Sequence, residues 1–289
     1  MNIYETVTER ILKQLATGVP WRGTWTTGLP KSLFAGKEFR ALNVLMLSGT
    51  GYTSRYWLTF PQALQLGGQV RKGEHATPVV CWHGRTAEDR ARLRENTGRA
   101  DLTRWVPCLS AAFNLDQVEG VARPADDVPI TPSRRLELAD QVFEVMPDKP
   151  VIIHGSQYRP NYNPRLDRVT LPHLSQFKNA DHYYGTLFAQ LVQAAGHPRR
   201  LNRFAATTSD RVQPYTFEAL VAELGAAFLC AFAGLANPVN EALQASDLQG
   251  WSQALRKDSR LIVRATSAAQ RAADYIRGKV IIEQQAAAA

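Results

Sequence analysis

In the second half of this chain His182, His197, Glu218 and Glu223 are of types that hold divalent metals. Imidazole and carboxylate ligands on one helix must recur at three- or four-residue spacings to share a face. These do not. His182 lies two turns before position 189, roughly 10 Å along the axis at 1.5 Å per residue, and His197 falls beyond Gly196, where a helix would stop. A metal held by this set needs a rearranged site. His197 has a plainer use near a helix C-terminus, where a cationic ring meets the partial negative charge of the last carbonyls. Glu223 is either a paired buried carboxylate or the remnant of a ligand-bearing helix.

The first half offers a different chemistry. Trp21, Trp25, Tyr52, Tyr56 and Trp57 are interleaved with Arg22, Lys31, Lys37, Arg40, Arg55, Arg71 and Lys72. Rings stack on nucleic-acid bases at ~1–3 kcal/mol each with little regard to sequence, and cations displace phosphate counterions. Together they suit a groove for a single strand. Each ring has an alternative: Trp57, followed by Leu58 and Phe60, fits a core as well as a groove, and Trp21 after Pro20 could pack against a helix end. Arg71 and Lys72 stand in a Gly-flanked turn where side chains project. Asn43, polar in an apolar segment, could read a base edge or cap a turn.

Charge points the same way. Residues 1–124 carry 16 Lys/Arg against 10 Asp/Glu, the remainder 18 against 16, within a net charge of +8; the basic, aromatic-rich half suits a polyanionic partner. With 45% hydrophobic residues the chain can bury a core, and 289 residues is ample for two domains. Cys81, Cys108 and Cys230 are far apart in sequence, which gives no CxxC metal knuckle and no disulfide framework, and fits a reducing, cytoplasmic setting. The opening MNIYETVTER lacks the apolar stretch of a secretory signal, so the mature protein is expected to begin at Met1. The apolar run Ala219 to Ala236 is interrupted by Glu223 and stops at Gly234, which reads as a buried helix and not a membrane span.

These residues must be positioned by a small set of elements. Ile3, Val7, Ile11 and Leu15 recur every four residues, and with Asn2 and Glu5 as a capping box they predict a helix ending at Gly18. Short helices are expected near Ala41 to Leu47 and Leu58 to Leu66, then strands at Pro78 to Trp82 and Val106 to Asn114 around a charged excursion. The Pro- and Asp-rich stretch after Val121 reads as an interdomain linker, 125–135. Beyond it the pattern predicts a helix (Leu136 to Met146), a strand (Pro150 to Gly155), and a strand pair between Tyr158 and Leu171. Three long helices follow, Ala180 to Ala195, Tyr215 to Gly234 and Leu248 to Arg277, the last burying Leu248, Trp251, Leu255, Ile262 and Ala269.

The segment Asp181 to Arg203 followed by Phe217 to Leu229 has the layout of a zincin core with its key letters changed. In such enzymes HExxH supplies two ligands and a general base, and the next helix a third ligand. Here those positions read Ala189, Gln190, Leu191, Val192, Gln193. Both imidazoles are absent, and the amide of Gln190 has no useful basicity. The surrounding match resembles the C-terminal metallopeptidase-like domain of the ArdC family, at Tyr183, Tyr184, Thr186, Leu187, Leu191, Gly196, His197, Glu218 and Leu220 through Leu229, with Ala219 in place of a family Glu. Upstream, Tyr162, Pro164, Asp167, Leu171 and Pro172 resemble the family's preceding strand segment. Gly18 to Trp25, Pro30 to Leu47, Tyr52 to Val80 and Phe113 to Gly120 resemble the family's N-terminal domain, which is associated with single-stranded DNA binding.

The resemblance implies an α+β protein of two domains, an N-terminal single-stranded-DNA-binding domain (1–124) and a C-terminal zincin-like, SprT-like domain (136–289) without its metal site. The expected function is sequence-tolerant binding of single-stranded DNA by an antirestriction protein of a mobile element, shielding incoming DNA from host restriction. The second domain is then a pseudo-metallopeptidase with no metal and no other cofactor. Two other readings remain: an interaction protein whose altered cleft grips a host defence protein, and a metallopeptidase with a rearranged site.

Overall fold

The computed structural model describes residues 3–17, 27–48, 50–84, 105–204, 214–236 and 245–279. Helix α1 (Ile3–Thr17) forms where the four-residue apolar period placed it, with Val7 and Ile11 sealed from solvent and Leu15 buried behind them. After β1 (Lys31–Ser32) the short helix α2 (Leu42–Leu47) is apolar on nearly every side, and it is buried on nearly every side. Next come β2 (Tyr56–Leu58), α3 (Phe60–Gln65), which starts on a Thr59–Gln62 capping box, and β3 (Gln69–Val70). Strands β4 (Thr77–Gly84) and β5 (Trp105–Asn114) form a long antiparallel hairpin, and β6 (Val118–Glu119) returns to β3. The larger sheet has the order β1-β2-β5-β4, with only β1 and β2 parallel.

The second half begins with α4 (Pro132–Glu144), whose Pro at the first helical position has no amide hydrogen to leave unpaired. Strands β7 (Val151–His154), β8 (Asn161–Asn163) and β9 (Arg168–Leu171) make a sheet of order β7-β9-β8, in which β7 runs parallel to β9. Then come α5 (Ala180–Ala194), α6 (Pro214–Ala233), α7 (Ala245–Lys257) and α8 (Leu261–Ile276). The apolar run containing Glu223 is indeed a buried helix, α6. No helix among the described residues is long and apolar enough to cross a membrane.

The long terminal helix expected from Leu248 to Arg277 is two helices. Asp258 makes the break: its carboxylate accepts from the Arg260 amide at 2.9 Å and pairs with Arg264 at 2.8 Å, a local alternative to helical hydrogen bonding. The buried face is otherwise as the pattern indicated, with Trp251, Leu255, Ile262 and Ala269 enclosed. At the break, Thr8 of α1 donates to the Ser259 carbonyl at 2.9 Å, so the first helix is fastened to the last pair.

The largest core runs through both halves of the chain. It joins Val7, Ile11, Val44, Leu45, Met46 and Val80 to the residues of α5, α6, α7 and α8. The stretch expected as a linker is likewise held: Asp127 is buried and accepts from Ser54 Oγ at 2.5 Å, the Arg55 amide at 2.9 Å and Arg123 at 2.8 Å. Tertiary structure also brings together two cysteines that are remote in sequence. Cys81 and Cys108 sit directly opposite each other on β4 and β5 as free thiols, a pairing that their separation in sequence did not suggest.

Candidate nucleic-acid interface and the altered metal-site helices

Four of the cations singled out in the sequence, Lys31, Lys37, Arg40 and Arg55, converge on one open basin of about 480 Å³, together with Gly36, Glu38 and Lys279. Lys279, from just past α8, was not anticipated. It approaches Glu38 at 3.3 Å although the two are 241 residues apart. Burial works to raise the Glu38 carboxyl, but Arg277, Lys279 and Arg55 outweigh it and hold it below the usual carboxylate range. Lys31 lies 3.6 Å from Asp126 and donates to Tyr56 Oη at 3.3 Å. Arg40 pairs with the buried Asp274 of α8, while the adjoining Ala41 amide donates to Gln270 at 2.8 Å. Lys37 is exposed and has no ion-pair partner among the described residues.

The remaining predicted positions divide. Arg71 and Lys72 project from an exposed turn, with Arg71 paired to Glu74 at 2.7 Å. Tyr52 is half-buried near them: burial raises its hydroxyl pKa, Glu74 adds to the shift and Arg71 opposes it. Trp21, Arg22 and Trp25 lie outside the described residues. Trp57 is 2% exposed, packed with Leu47, Val79 and Ala112, and meets Tyr52 edge-on at 5.7 Å. It has no free face and is a core residue, not a stacking platform. Tyr56, 4% exposed, is likewise removed from the groove; its hydroxyl donates to Asp126 at 2.5 Å, and its ring lies beneath Lys31 and Arg55. Asn43 is engaged within the fold. Its amide exchanges two 2.7 Å hydrogen bonds with the backbone of Val80, filling the unpaired side of edge strand β4.

In the second half, α5 and α6 pack closely because Gly225 lies against Val192. A Cβ at that glycine would fall 2.6 Å from a Val192 methyl. Ala189 and Gln190 of α5 are buried and Gln193 is partly so. Gln190 is 8% exposed, and its Oε1 has no hydrogen-bond partner among the described residues. Glu218 is engaged by Arg203, whose guanidinium reaches it at 2.8 Å and also donates to the Val192 carbonyl at 3.0 Å. Glu218, expected as a remnant of the cleft, is therefore held in an ion pair. Glu223 is buried in α6.

The histidines are occupied too. His197 Nδ1 accepts from the Arg199 amide at 3.2 Å, and His182 sits 2.7 Å from the Asn179 carboxamide that caps α5. A second guanidinium, Arg200, is fully buried and grips Asp167 through two 2.8 Å contacts, while Tyr162 donates to the same carboxylate at 2.9 Å. Burial alone would raise the Asp167 pKa, but Arg200 and Tyr162 bring it down. Sequence reading noted Tyr162 and Asp167 without their cation. Arg200 and Arg203, just past α5, were signalled only by being charged residues beside an apolar helix end.

Known proteins share this fold. The sequence profile of the N-terminal domain of the anti-restriction factor ArdC matches residues 1–112, and that of a zincin-like metallopeptidase matches residues 139–268. The crystal structure of the antirestriction ArdC protein from plasmid R388 in its metal-free form is 34% identical. The alignment covers 96% of this chain and 97% of that one, with a TM-score of 0.76. The chain belongs to the ArdC family. An Mn(II)-bound structure of the R388 protein aligns with a TM-score of 0.75 at 33% identity, over 98% of this chain and all of the other. An uncharacterized protein y4eC of Sinorhizobium fredii is 31% identical over 95% of this chain and 91% of its own length. A DNA primase TraC of Escherichia coli is 30% identical over 94% of this chain, which spans 27% of the primase.

The manganese of that ArdC relative raises the question of fit. At the positions corresponding to HExxH this family member offers a methyl group and two carboxamides, none of them an anionic or imidazole donor. Among the described residues no three His, Cys, Asp or Glu side chains converge on a common point. Among the described residues, those at the HExxH-like positions do not fit a catalytic divalent ion.

Proposed function

We propose that this ArdC-family chain is an antirestriction protein that binds single-stranded DNA without sequence preference in the cytoplasm, and that its zincin-like domain is a catalytically inert scaffold. The observation that carries the DNA reading is the basin where Lys31, Lys37, Arg40, Arg55 and Lys279 face one open volume. Five cations line this basin beside Glu38, and although Asp126 and Asp274 partly offset Lys31 and Arg40 the surplus positive charge favours a phosphate backbone, which carries no base identity. The antirestriction role and the mobile-element setting both rest on the likeness to the protein of plasmid R388. Inertness rests on Gln190 and Gln193, which can neither hold a Lewis acid nor deprotonate water.

The test uses the full chain, because α1 packs on the second half and a fragment ending at residue 124 would lose part of its core. Labelled oligonucleotides of several sequences are titrated over a range of salt. Similar affinities with a steep common salt dependence are expected; no binding at low salt overturns the DNA reading. Reversing the charges of Arg71 and Lys72 is expected to weaken all sequences alike. For the scaffold, zinc or manganese held in stoichiometric amount through dialysis would overturn inertness.

A second reading, capture of a host defence protein, is favoured by one observation. Strand β7 is an open edge with Val151 61% exposed, where an extended segment could add as a further strand. It predicts chain that fails to bind oligonucleotides yet still antagonises restriction.

A further inference from the structure

The hairpin of β4 and β5 holds a feature that the DNA reading does not use. Cys81 and Cys108 are direct cross-strand partners, with their sulfurs 3.3 Å apart and the Cys108 thiol also 3.3 Å from the Cys81 carbonyl. A disulfide needs about 2.0 Å between sulfurs. The gap is within reach of small side-chain rotations, since the strand register already fixes both Cα positions. Both side chains are only half-buried, so a small oxidant can reach them. Cys230 is entirely buried, and burial pushes its thiol far up. The structure thus separates one accessible, adjacent pair from one sealed thiol.

We propose that Cys81 and Cys108 form a reversible cross-strand disulfide that staples the β4–β5 hairpin when the chain meets an oxidised thiol pool. The oxidant is a small-molecule disulfide such as oxidised glutathione. One cysteine thiolate attacks a glutathione sulfur, breaking its S–S bond, expelling one glutathione thiolate and leaving a mixed disulfide. The second cysteine thiolate attacks the protein sulfur of that mixed disulfide and expels the other glutathione. Two protein thiols are oxidised by two electrons, one glutathione disulfide is reduced to two thiols, and the two protons pass to glutathione. The new bond closes the loop between positions 81 and 108, which restricts the unfolded chain and ties the base of the charged excursion.

Burial and the adjacent Cys108 push the Cys81 thiol up to about 11, so exchange is run at alkaline pH. Reduced full-length protein is incubated with oxidised glutathione, trapped with an alkylating agent, and digested for mass mapping. A peptide linking Cys81 to Cys108 is expected, abolished by reductant, with Cys230 alkylated only after denaturation. The oxidised form should melt at a higher temperature and return to the original midpoint on reduction. Cys81→Ser and Cys108→Ser should each block the link and leave glutathione on the remaining partner. The proposal fails if both thiols are alkylated separately, if each stably carries glutathione, or if neither reacts at any glutathione concentration.

Discussion

Removing Lys37 isolates the electrostatic claim, because this side chain is exposed and free of ion pairs among the described residues, so its loss should leave the fold intact. If it neutralises one phosphate of a bound single strand, log affinity loses a salt slope of about 0.7. At 0.1 M salt, relative to 1 M, one such contact is a factor of about five, close to 1 kcal/mol. Lys37→Ala should therefore bind roughly fivefold more weakly at 0.1 M, and about equally at 1 M. Lys279→Ala should cost more than that, because Lys279 lies against Glu38 and its loss leaves that carboxylate less compensated within the basin. Glu38→Gln should tighten binding. The assay is fluorescence anisotropy with a labelled homopolymer and a mixed-sequence oligonucleotide across the salt series. If Lys37→Ala leaves both affinity and slope unchanged, or weakens one sequence alone, the basin is not where the backbone lies.

Three further predictions concern the scaffold. Arg203→Met strands Glu218 near the α5–α6 contact and should cost about 3–5 kcal/mol in urea unfolding, whereas Arg203→Met with Glu218→Leu should recover most of it; an effect below about 1 kcal/mol for the single change would refute a buried pair of consequence. Gly225→Ala places a methyl against Val192 and should cost about 1–3 kcal/mol, with Val192→Ala relieving it in a double-mutant cycle, so strictly additive effects would show that the two residues do not touch. Asp167 has a depressed pKa in the fold, so its pairing with Arg200 stabilises fully above the unfolded value of about 3.9 and is lost as pH falls through the depressed value. Asp167→Asn keeps a residue tolerant of the positive φ found there and should flatten the acid limb of the stability profile below about pH 5; a variant with the same acid limb would place the titrating group elsewhere.

Amphipathic period and turn chemistry were enough to place α1, α4, α5, α6 and the β4–β5 hairpin, because each element's own residues decide its buried face. The changed letters at Ala189, Gln190 and Gln193 were equally legible, since a missing donor is missing in any fold. What the chain alone could not reveal depends on partners far away in sequence. Trp57 and Tyr56 have the composition of a stacking surface, and only the packing of Leu47, Val79 and Ala112 against one and the hydrogen bond of Asp126 to the other removes them from solvent. Glu218 becomes unavailable because Arg203 reaches back to it. The basin gains Lys279, and Cys81 meets Cys108, for the same reason. Local pattern reports which way a residue faces, whereas ion pairs, thiol pairs and shared basins are properties of distance, and distance exists only after the elements have packed.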